Sequence, residues 1–392
     1  METFQNSWYA LAHMIKRPRQ QRILSRLLGR NPVVAILGAR QVGKTTLART
    51  FIERQGRPAT VFDLERAQDI ARLDDAELGL RDLKGIVVLD EIQRRPDLFP
   101  TLRVLSDRPR RPARFLVLGS ASPDLLRQSS ESLAGRIAYH ELSGLTLDEV
   151  GIGHLNQLWL RGGFPRSYTA RSNADSRAWR NDFIRTFLER DIPQLGITIP
   201  SGTLDRFWAM LAHYHGQIWN ASEFARSFGV SHHVTRRYLD ALQATFMVRI
   251  LRPWKANIRK RQVKSPKVYI RDSGILHNFL EIETIKDLQR HPKLGASWEG
   301  FLLEAVIQQL GAGPGHCYFW ATHTGAELDL IAVERGRRSG FEVKRTTAPR
   351  VTPSMRSALE DLELTRLDVV DALLRFRTFR TPAAATATHR NQ

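Results

Sequence analysis

The stretch Val33-Val34-Ala35-Ile36-Leu37-Gly38-Ala39-Arg40-Gln41-Val42-Gly43-Lys44-Thr45-Thr46 decides the fold. Five apolar residues read as a buried strand. Gly38 to Thr45 match G-x-x-x-x-G-K-[ST], and Thr46-Leu47-Ala48-Arg49-Thr50 continues as a helix. Strand, glycine-rich loop and helix, in that order, are the context in which this pattern cradles phosphate. The glycines let backbone N–H groups wrap the β- and γ-phosphates at a helix N-terminus, whose dipole favours anions. Lys44 adds a point charge to the phosphates, and Thr45 offers a hydroxyl to Mg²⁺. Gly38, Ala39, Arg40, Gln41, Val42, Gly43, Lys44, Thr45 and Thr46 are therefore the expected nucleotide contacts. Arg40 is a further candidate for phosphate or partner contact.

Outward from the loop, three more apolar runs end in polar residues: Val61-Phe62-Asp63, Ile86-Val87-Val88-Leu89-Asp90-Glu91 and Phe115-Leu116-Val117-Leu118-Gly119-Ser120. Helix-period stretches separate them. Continuous apolar strands alternating with helices indicate a parallel sheet covered on both faces. Asp90 and Glu91 fall at the end of a buried strand. There Asp90 would hold Mg²⁺ through its water shell, and Glu91 would orient and deprotonate the attacking water. Ser120 reads either as a contact to the γ-phosphate or water, or as a plain turn serine. Arg136, in Ser132-Leu133-Ala134-Gly135-Arg136, could stabilise γ-phosphate charge in its own subunit or across an interface. A surface arginine is the alternative.

Composition bounds the partners. Lys and Arg number 59 against 40 Asp and Glu, a formal charge of +19 that favours a polyanion such as nucleic acid. No run of about 18 apolar residues appears, so neither a membrane helix nor a membrane partner is expected. The N-terminal residues have no long apolar core followed by a cleavage site, which argues against a secretory signal. Cys317 is the single cysteine, which excludes an internal disulfide and fits a reducing cytoplasm. A buried strand thiol is its expected state. His213 and His215, two apart, do not share a helix face, so no metal site is expected there.

GARQVGKTTL, IVVLDEIQRRPDLFPTLR, LGSAS, SLAGRI, RGGFP, FLERDI, YLDAL, RKRQVKSPKVYIRDSGILH, GAELDLI and FEVK, in this order, cover residues 30–345. Together they resemble the bacterial and archaeal AAA-class ATPases that carry a C-terminal domain of unknown function 4143. The resemblance implies ATP rather than GTP, an ATPase domain, a winged-helix-like region and a nuclease-like end. The expected layout is an α/β architecture in six parts. A basic helical lead-in (1–30) precedes a P-loop domain with an AAA-type parallel sheet (31–150) and a helical connector (151–215) whose long helix ends before Pro193. A winged-helix-like module (216–251), a restriction-endonuclease-like α/β domain (252–372) and a disordered Ala/Thr-rich tail (373–392) follow.

Ser222 to Leu242 read as helix, tight turn at Gly229, helix, with Ala225 small at the close approach. Ser231, His232, Thr235 and Arg236 are expected on the exposed side of a reading helix. A protein–protein spacer fits the same pattern. Between Asp240 and Asp272 there is no acid, while Arg249, Arg252, Lys255, Arg259, Lys260, Arg261, Lys264, Lys267 and Arg271 accumulate around Trp254. Such a stretch would bind phosphates in a salt-dependent way. A solvated or packed face is its alternative.

Near the C-terminal end, Asp329 lies in one strand, and Glu342 and Lys344 share a face of the next. A helix acid, then D, then E-x-K resembles the restriction-endonuclease-like fold, in which carboxylates hold Mg²⁺ and the lysine activates water. The resemblance assigns Glu299, Asp329 and Glu342 as metal ligands and Lys344 as the catalytic amine. Glu299 is preferred over Glu304, five residues on, because the family pattern puts its acid after the aromatic, here Trp298. The leading expectation is a Mg²⁺-dependent ATPase controlling nucleic-acid engagement, with DNA the expected form. An ATP-gated endonuclease, and an ATP-switched DNA- or protein-binding module with an inactive nuclease scaffold, are the alternatives. A homo-oligomer and a protein partner are both compatible with the sequence.

Overall fold

The computed structural model describes residues 15–109, 113–120, 129, 131–255, 262–346, 350–370 and 376–379. The chain divides into two compact units. The first holds the strands β1 (Val33–Leu37), β2 (Ala59–Asp63), β3 (Gly85–Asp90), β4 (Ala113–Gly119) and β5 (Ile137–Glu141), all parallel, in the order β2-β3-β4-β1-β5. Every residue of β1 is buried, which is why it reads as an unbroken apolar run rather than an alternation. Val33, Ala35 and Leu37 join Val87, Leu89, Phe115 and Val117 in one core, sealed by Phe99, Leu102 and Leu105 of the helix Leu98–Ser106. Val34, Ile36, Val88, Leu116 and Leu118 are equally buried on the other face. Each such side chain contributes roughly 1.5–3 kcal/mol by leaving water.

The lead-in forms the helix Pro18–Arg30, with Leu24 and Leu28 buried. Arg17, just before it, is also buried. Its guanidinium donates to the carbonyls of Val42 (3.2 Å), Ser143 (3.1 Å) and Gly144 (3.0 Å), and to Glu149 (2.7 Å). The lead-in is thereby tied to the phosphate loop.

The second unit carries one eight-stranded mixed sheet. Its strands are β6 (Gln217–Ile218), β7 (Val248–Pro253), β8 (Lys267–Ile270), β9 (Cys317–Ala321), β10 (Glu327–Glu334), β11 (Arg337–Val343), β12 (Arg366–Val370) and β13 (Phe376–Phe379), in the order β13-β12-β11-β10-β9-β7-β8-β6. Two of the expected boundaries differ here. Strand β7 crosses position 251/252 and pairs antiparallel with β8 on one side and parallel with β9 on the other. Strands from both sides of that expected boundary thus share one sheet. An edge strand exposes unpaired N–H and C=O groups, and pairing with β9 covers part of the β7 edge. Beyond residue 372, β13 pairs with β12, so this part of the expected tail is a strand. The rest of the expected disordered tail, residues 373–375 and 380–392, lies outside the described residues.

The helix pair stands as Ala221–Phe228 and His232–Ala244. The Asn220 side chain caps the first, accepting from Ser222 N–H (3.2 Å) and Glu223 N–H (3.3 Å). Gly229 ends it in the left-handed region, at φ 62°. Phe207 packs edge-on against Phe224, Phe228, Trp219 and Tyr238 with centroids 5.3–6.0 Å apart, and this aromatic cluster is the module's core. The connector helix does not stop cleanly before Pro193. The helix Asn173–Thr186 runs into a widened turn, Phe187–Asp191, and a short helix, Ile192–Gln194, follows. The widened turn ends two residues before Pro193, which lacks the N–H for a regular helical bond.

Candidate nucleotide site and C-terminal carboxylate cluster

Register places the chemistry of the first unit. Leu37 of β1 lies opposite Gly119 of β4, and Leu89 of β3 lies opposite Val117. The Gly38–Thr46 loop, the Asp90-Glu91 turn and Ser120 therefore emerge at one edge of the parallel sheet. Gly38 has no room for a side chain, because a Cβ there would come within 2.2 Å of the Leu142 carbonyl oxygen. Gly43 has φ 94°, a conformation that glycine alone adopts without strain. The helix Lys44–Gln55 starts immediately after it.

Within the loop, Lys44 is buried and its Nζ donates to the carbonyls of Gly38 and Ala39, both at 3.0 Å. The Thr45 hydroxyl donates to Asp90 Oδ2 at 2.7 Å. The other Asp90 oxygen accepts from Glu91 N–H at 3.0 Å. Burial pushes the Asp90 carboxyl above its ordinary value. The Glu91 charge adds to this, and the Thr45 and Glu91 hydrogen bonds and the Lys44 charge oppose it. A hydroxyl and a carboxylate side by side are the hard oxygen donors that suit Mg²⁺. Glu91 has φ 57°, which turns its side chain out of the strand end, and the Gln93 amide donates to it. Arg40 pairs with Glu65 at 3.7 Å, and Arg94 pairs with the same carboxylate at 3.1 Å. Ser120 is half-buried at the end of β4.

Arg136 lies elsewhere. It directly precedes β5, and its carbonyl accepts from Val33 N–H at the start of β1. That is the opposite edge of the sheet, about 16 Å from the loop for five residues at ~3.3 Å each. Its guanidinium forks onto Asp107 (2.7 and 2.8 Å) and donates to the Ala134 carbonyl. Arg136 and the loop of its own subunit thus lie at opposite ends of β1.

In the second unit, Glu299, Asp329, Glu342 and Lys344 do come together. Asp329 and Glu342 follow the Leu330/Phe341 pair of the β10–β11 ladder. Asp329 Oδ2 accepts from Val343 N–H (2.8 Å), and Glu342 Oε1 pairs with Lys344 Nζ (2.7 Å). Glu342 Oε2 is buried without a hydrogen-bond partner. Burial first, then the charges of Glu299 and Glu342, push Asp329 well above the ordinary carboxylate range. Glu342 is also raised, by burial against the pull of Lys344.

Two residues complete the cluster: Lys267, which sequence reasoning placed in the basic stretch instead, and Tyr269, which it did not assign. Lys267 Nζ contacts Glu299 Oε1 at 3.2 Å and also bonds Glu327, and Tyr269 Oη donates to Glu299 Oε1 at 2.6 Å. Their period-2 spacing on β8, Lys267 then Tyr269, was the available signal. Gln93 and Arg17, which hold Glu91 and the phosphate loop, were likewise unassigned. One member of the expected metal set, Glu299, thus meets the Lys267 ammonium, and another, Glu342, meets Lys344. Among the described residues no three acidic, histidine or cysteine side chains converge as a metal cage. As they stand, these residues do not fit a divalent ion. Glu304 goes to different partners, Arg249 (2.9 Å) and Arg271 (3.4 Å).

The expected basic surface is partly interior. Arg249 and Lys267 are buried and ion-paired, and Arg271 pairs with Glu304. Trp254 packs on the C-terminal core. Arg252, Lys255 and Lys264 are exposed, and Arg259, Lys260 and Arg261 lie outside the described residues. On the helix His232–Ala244, Ser231, His232, His233, Arg236 and Arg237 face solvent. Thr235 does not; it is fully buried, and its hydroxyl donates to the His232 carbonyl at 2.9 Å. Cys317 is a buried thiol, its pKa pushed up to about 11 chiefly by burial. His215 is buried, with Nδ1 accepting from Ile270 N–H at 3.0 Å.

A glycine-rich loop, a basic helix start and an acidic strand end at one edge of a parallel sheet define a P-loop nucleotide hydrolase. The chain belongs to the family of AAA-type ATPases that carry a C-terminal domain of unknown function 4143, and it is an ATPase. The AAA domain matches residues 30–151, a domain of unknown function 8612 matches 152–286, and domain 4143 matches 294–379. Uncharacterized proteins of Mycobacterium tuberculosis and Mycobacterium bovis are each 55% identical over 357 residues, 91% of this chain and 80% of theirs. Among solved structures, the Walker-type ATPase of Pyrococcus abyssi is similar at 16% identity and TM-score 0.47, over 68% of this chain and 96% of that one. RuvB of Thermotoga maritima is similar at 16% identity and TM-score 0.29, over 62% and 91%. Among the described residues no helix is long and apolar enough to cross a membrane.

Proposed function

We propose that ATP, held with Mg²⁺ at the Gly38–Thr46 loop, sets whether the C-terminal unit engages nucleic acid. Thr45 and Asp90 would hold the ion, which supplies charge neutralisation on the phosphates. Lys44 would bind the phosphates, Glu91 would take the proton of the attacking water, and Ser120 would face the γ-phosphate. Arg136 would complete a neighbouring subunit's site, which makes a homo-oligomer the active form.

The observation that carries the nucleic-acid reading is the helix His232–Ala244. One face is packed on the Phe207 cluster, and His232, His233, Arg236 and Arg237 are left exposed at its N-terminal end. A chain of charge +19 favours a polyanion on such a face. The ion pairs of Lys267 support binding rather than cleavage by the carboxylate cluster.

The test is anisotropy of a labelled DNA duplex with wild type and with a His232→Ala/Arg237→Ala double variant, with and without a non-hydrolysable ATP analogue. Nucleotide should change the affinity. The double variant should bind more weakly, and its salt slope should shrink by about 0.9 per lost phosphate contact. Binding indifferent to nucleotide, or absent at low salt while Lys44-dependent hydrolysis persists, would overturn the nucleic-acid reading in favour of a protein partner.

A further inference from the structure

We infer that Lys267 is the built-in cation of the C-terminal carboxylate cluster, supplying beside Glu299 and Glu327 the positive charge that a divalent metal would bring. Glu299, Asp329 and Glu342 then hold no metal while Lys267 is present. The inference holds whether nucleic acid or protein is the partner, and it does not involve the nucleotide site.

The geometry is specific. Lys267 opens β8 with its side chain only 5% exposed, and its ammonium bonds Glu299 and Glu327. Tyr269, two residues on and on the same strand face, fixes the shared oxygen Glu299 Oε1 from a second side. Glu327 and Asp329 both lie on β10, beside the irregularity between Leu328 and Ile331. Burial works against the Lys267 charge. Tyr269, Glu299, Asp329 and Glu327 outweigh it and hold the ammonium well above its usual value.

Four carboxylates thus face two amines, Lys267 and Lys344. A compact ammonium with three donors can satisfy several carboxylates at once, as a metal ion does, but it cannot polarise a bound water as a divalent ion does. Removing Lys267 leaves the four acids with Lys344 alone. Glu327 and Lys344 are part-exposed, which leaves the cluster open to an incoming ion. The buried and unpartnered Glu342 Oε2 then becomes available as a ligand.

The experiment titrates nucleotide-free protein with MnCl₂ by calorimetry, in an Asp90→Asn background that silences the Thr45 site. With Lys267 present, no Mn²⁺ should bind to the cluster. Lys267→Met should take up one Mn²⁺ per chain, and Asp329→Asn should remove that site again. A Mn²⁺ site in the Lys267-bearing protein that Asp329→Asn abolishes would overturn the inference, and this arm needs no change at position 267. A folded Lys267→Met that binds no Mn²⁺ would overturn it too. Should Lys267→Met not fold, Lys267→Gln keeps the hydrogen bond to Glu299 without the charge and is read in the same way.

Discussion

Replacing Arg136 by Ala should nearly abolish ATP hydrolysis, and the loss should be repairable from another subunit. Arg136 sits at the start of β5, the loop at the far end of β1, and the strand between them spans about 16 Å. No arginine side chain reaches that far. In its resting state the guanidinium pairs with Asp107, and both side chains are substantially exposed, at 34% and 53%. Exposed pairs are weak, so a neighbour's γ-phosphate can compete for the guanidinium. A charge placed this way is worth about 10³–10⁵ in turnover where it has been measured in GTPases. The assay is phosphate release by Arg136→Ala alone, by Lys44→Ala alone, and by an equal mixture. Each variant alone should fall to about a thousandth of wild type or below. In a head-to-tail ring formed from the mixture, about one interface in four joins an intact loop to an intact Arg136, so about a quarter of the activity should return. Asp107→Asn, which frees the arginine, should cost nothing. Retention of activity within tenfold in Arg136→Ala refutes the reasoning. So does co-assembly of the two variants without recovery.

Glu91→Gln should cut hydrolysis by about 10²–10⁴ while nucleotide still binds. Gln93→Ala, which releases the Glu91 side chain, should lower kcat and leave KM near wild type, so a KM change with intact kcat would contradict that role. Glu304→Gln leaves Arg249 and Arg271 buried against a neutral group. It should cost about 3–5 kcal/mol, read as a drop of about 6–20 °C in the C-terminal unit's midpoint at about 2–4 °C per kcal/mol. Burial raises the Glu304 pKa, but the two arginines outweigh it and hold the group below its ordinary value. Its stabilisation is therefore present above the ordinary glutamate pKa of about 4.3 and fades as the pH falls below it. The variant and wild-type melting curves should converge in acid, and parallel curves down to that range would count against the triad.

How much of this was legible in the sequence depended on how local the cause is. The phosphate loop is local: Gly38, Gly43, Lys44 and Thr45 lie within eight residues and have one backbone solution, so spacing alone located it. The acidic strand end was equally local. The edge on which Arg136 lies was not, because it depends on β5 pairing with β1 across a hundred residues. The basic stretch failed for a similar reason. Arg249 looks the same in sequence whether it faces water or Glu304, 55 positions away, and only the fold brings that carboxylate to it. Thr235 was expected outside because it lies next to exposed neighbours, but its helical phase turns it inward. The shared sheet was hidden because β7 pairs with β9 over only two residues, Arg252 with Tyr318 and Pro253 with Phe319, too few to leave a pattern.

The two buried lysines explain why one cluster is poised for a ligand and the other is not. Lys44 donates to two neutral carbonyls, Gly38 and Ala39. Bonds from an ammonium to an anion are roughly twice as strong as bonds between neutral groups, so incoming phosphates can draw Lys44 off the loop with a net gain. Lys267 donates to the carboxylates Glu299 and Glu327. A substrate phosphate offers it nothing that those groups do not already supply, and moving it would leave Glu299 and Glu327 without the ammonium that bonds them. The loop ammonium thus bonds neutral carbonyls, and the cluster ammonium bonds carboxylates. A phosphate can be received at the loop by exchange of partners, whereas in the C-terminal cluster the Lys267 ammonium is already held by carboxylates.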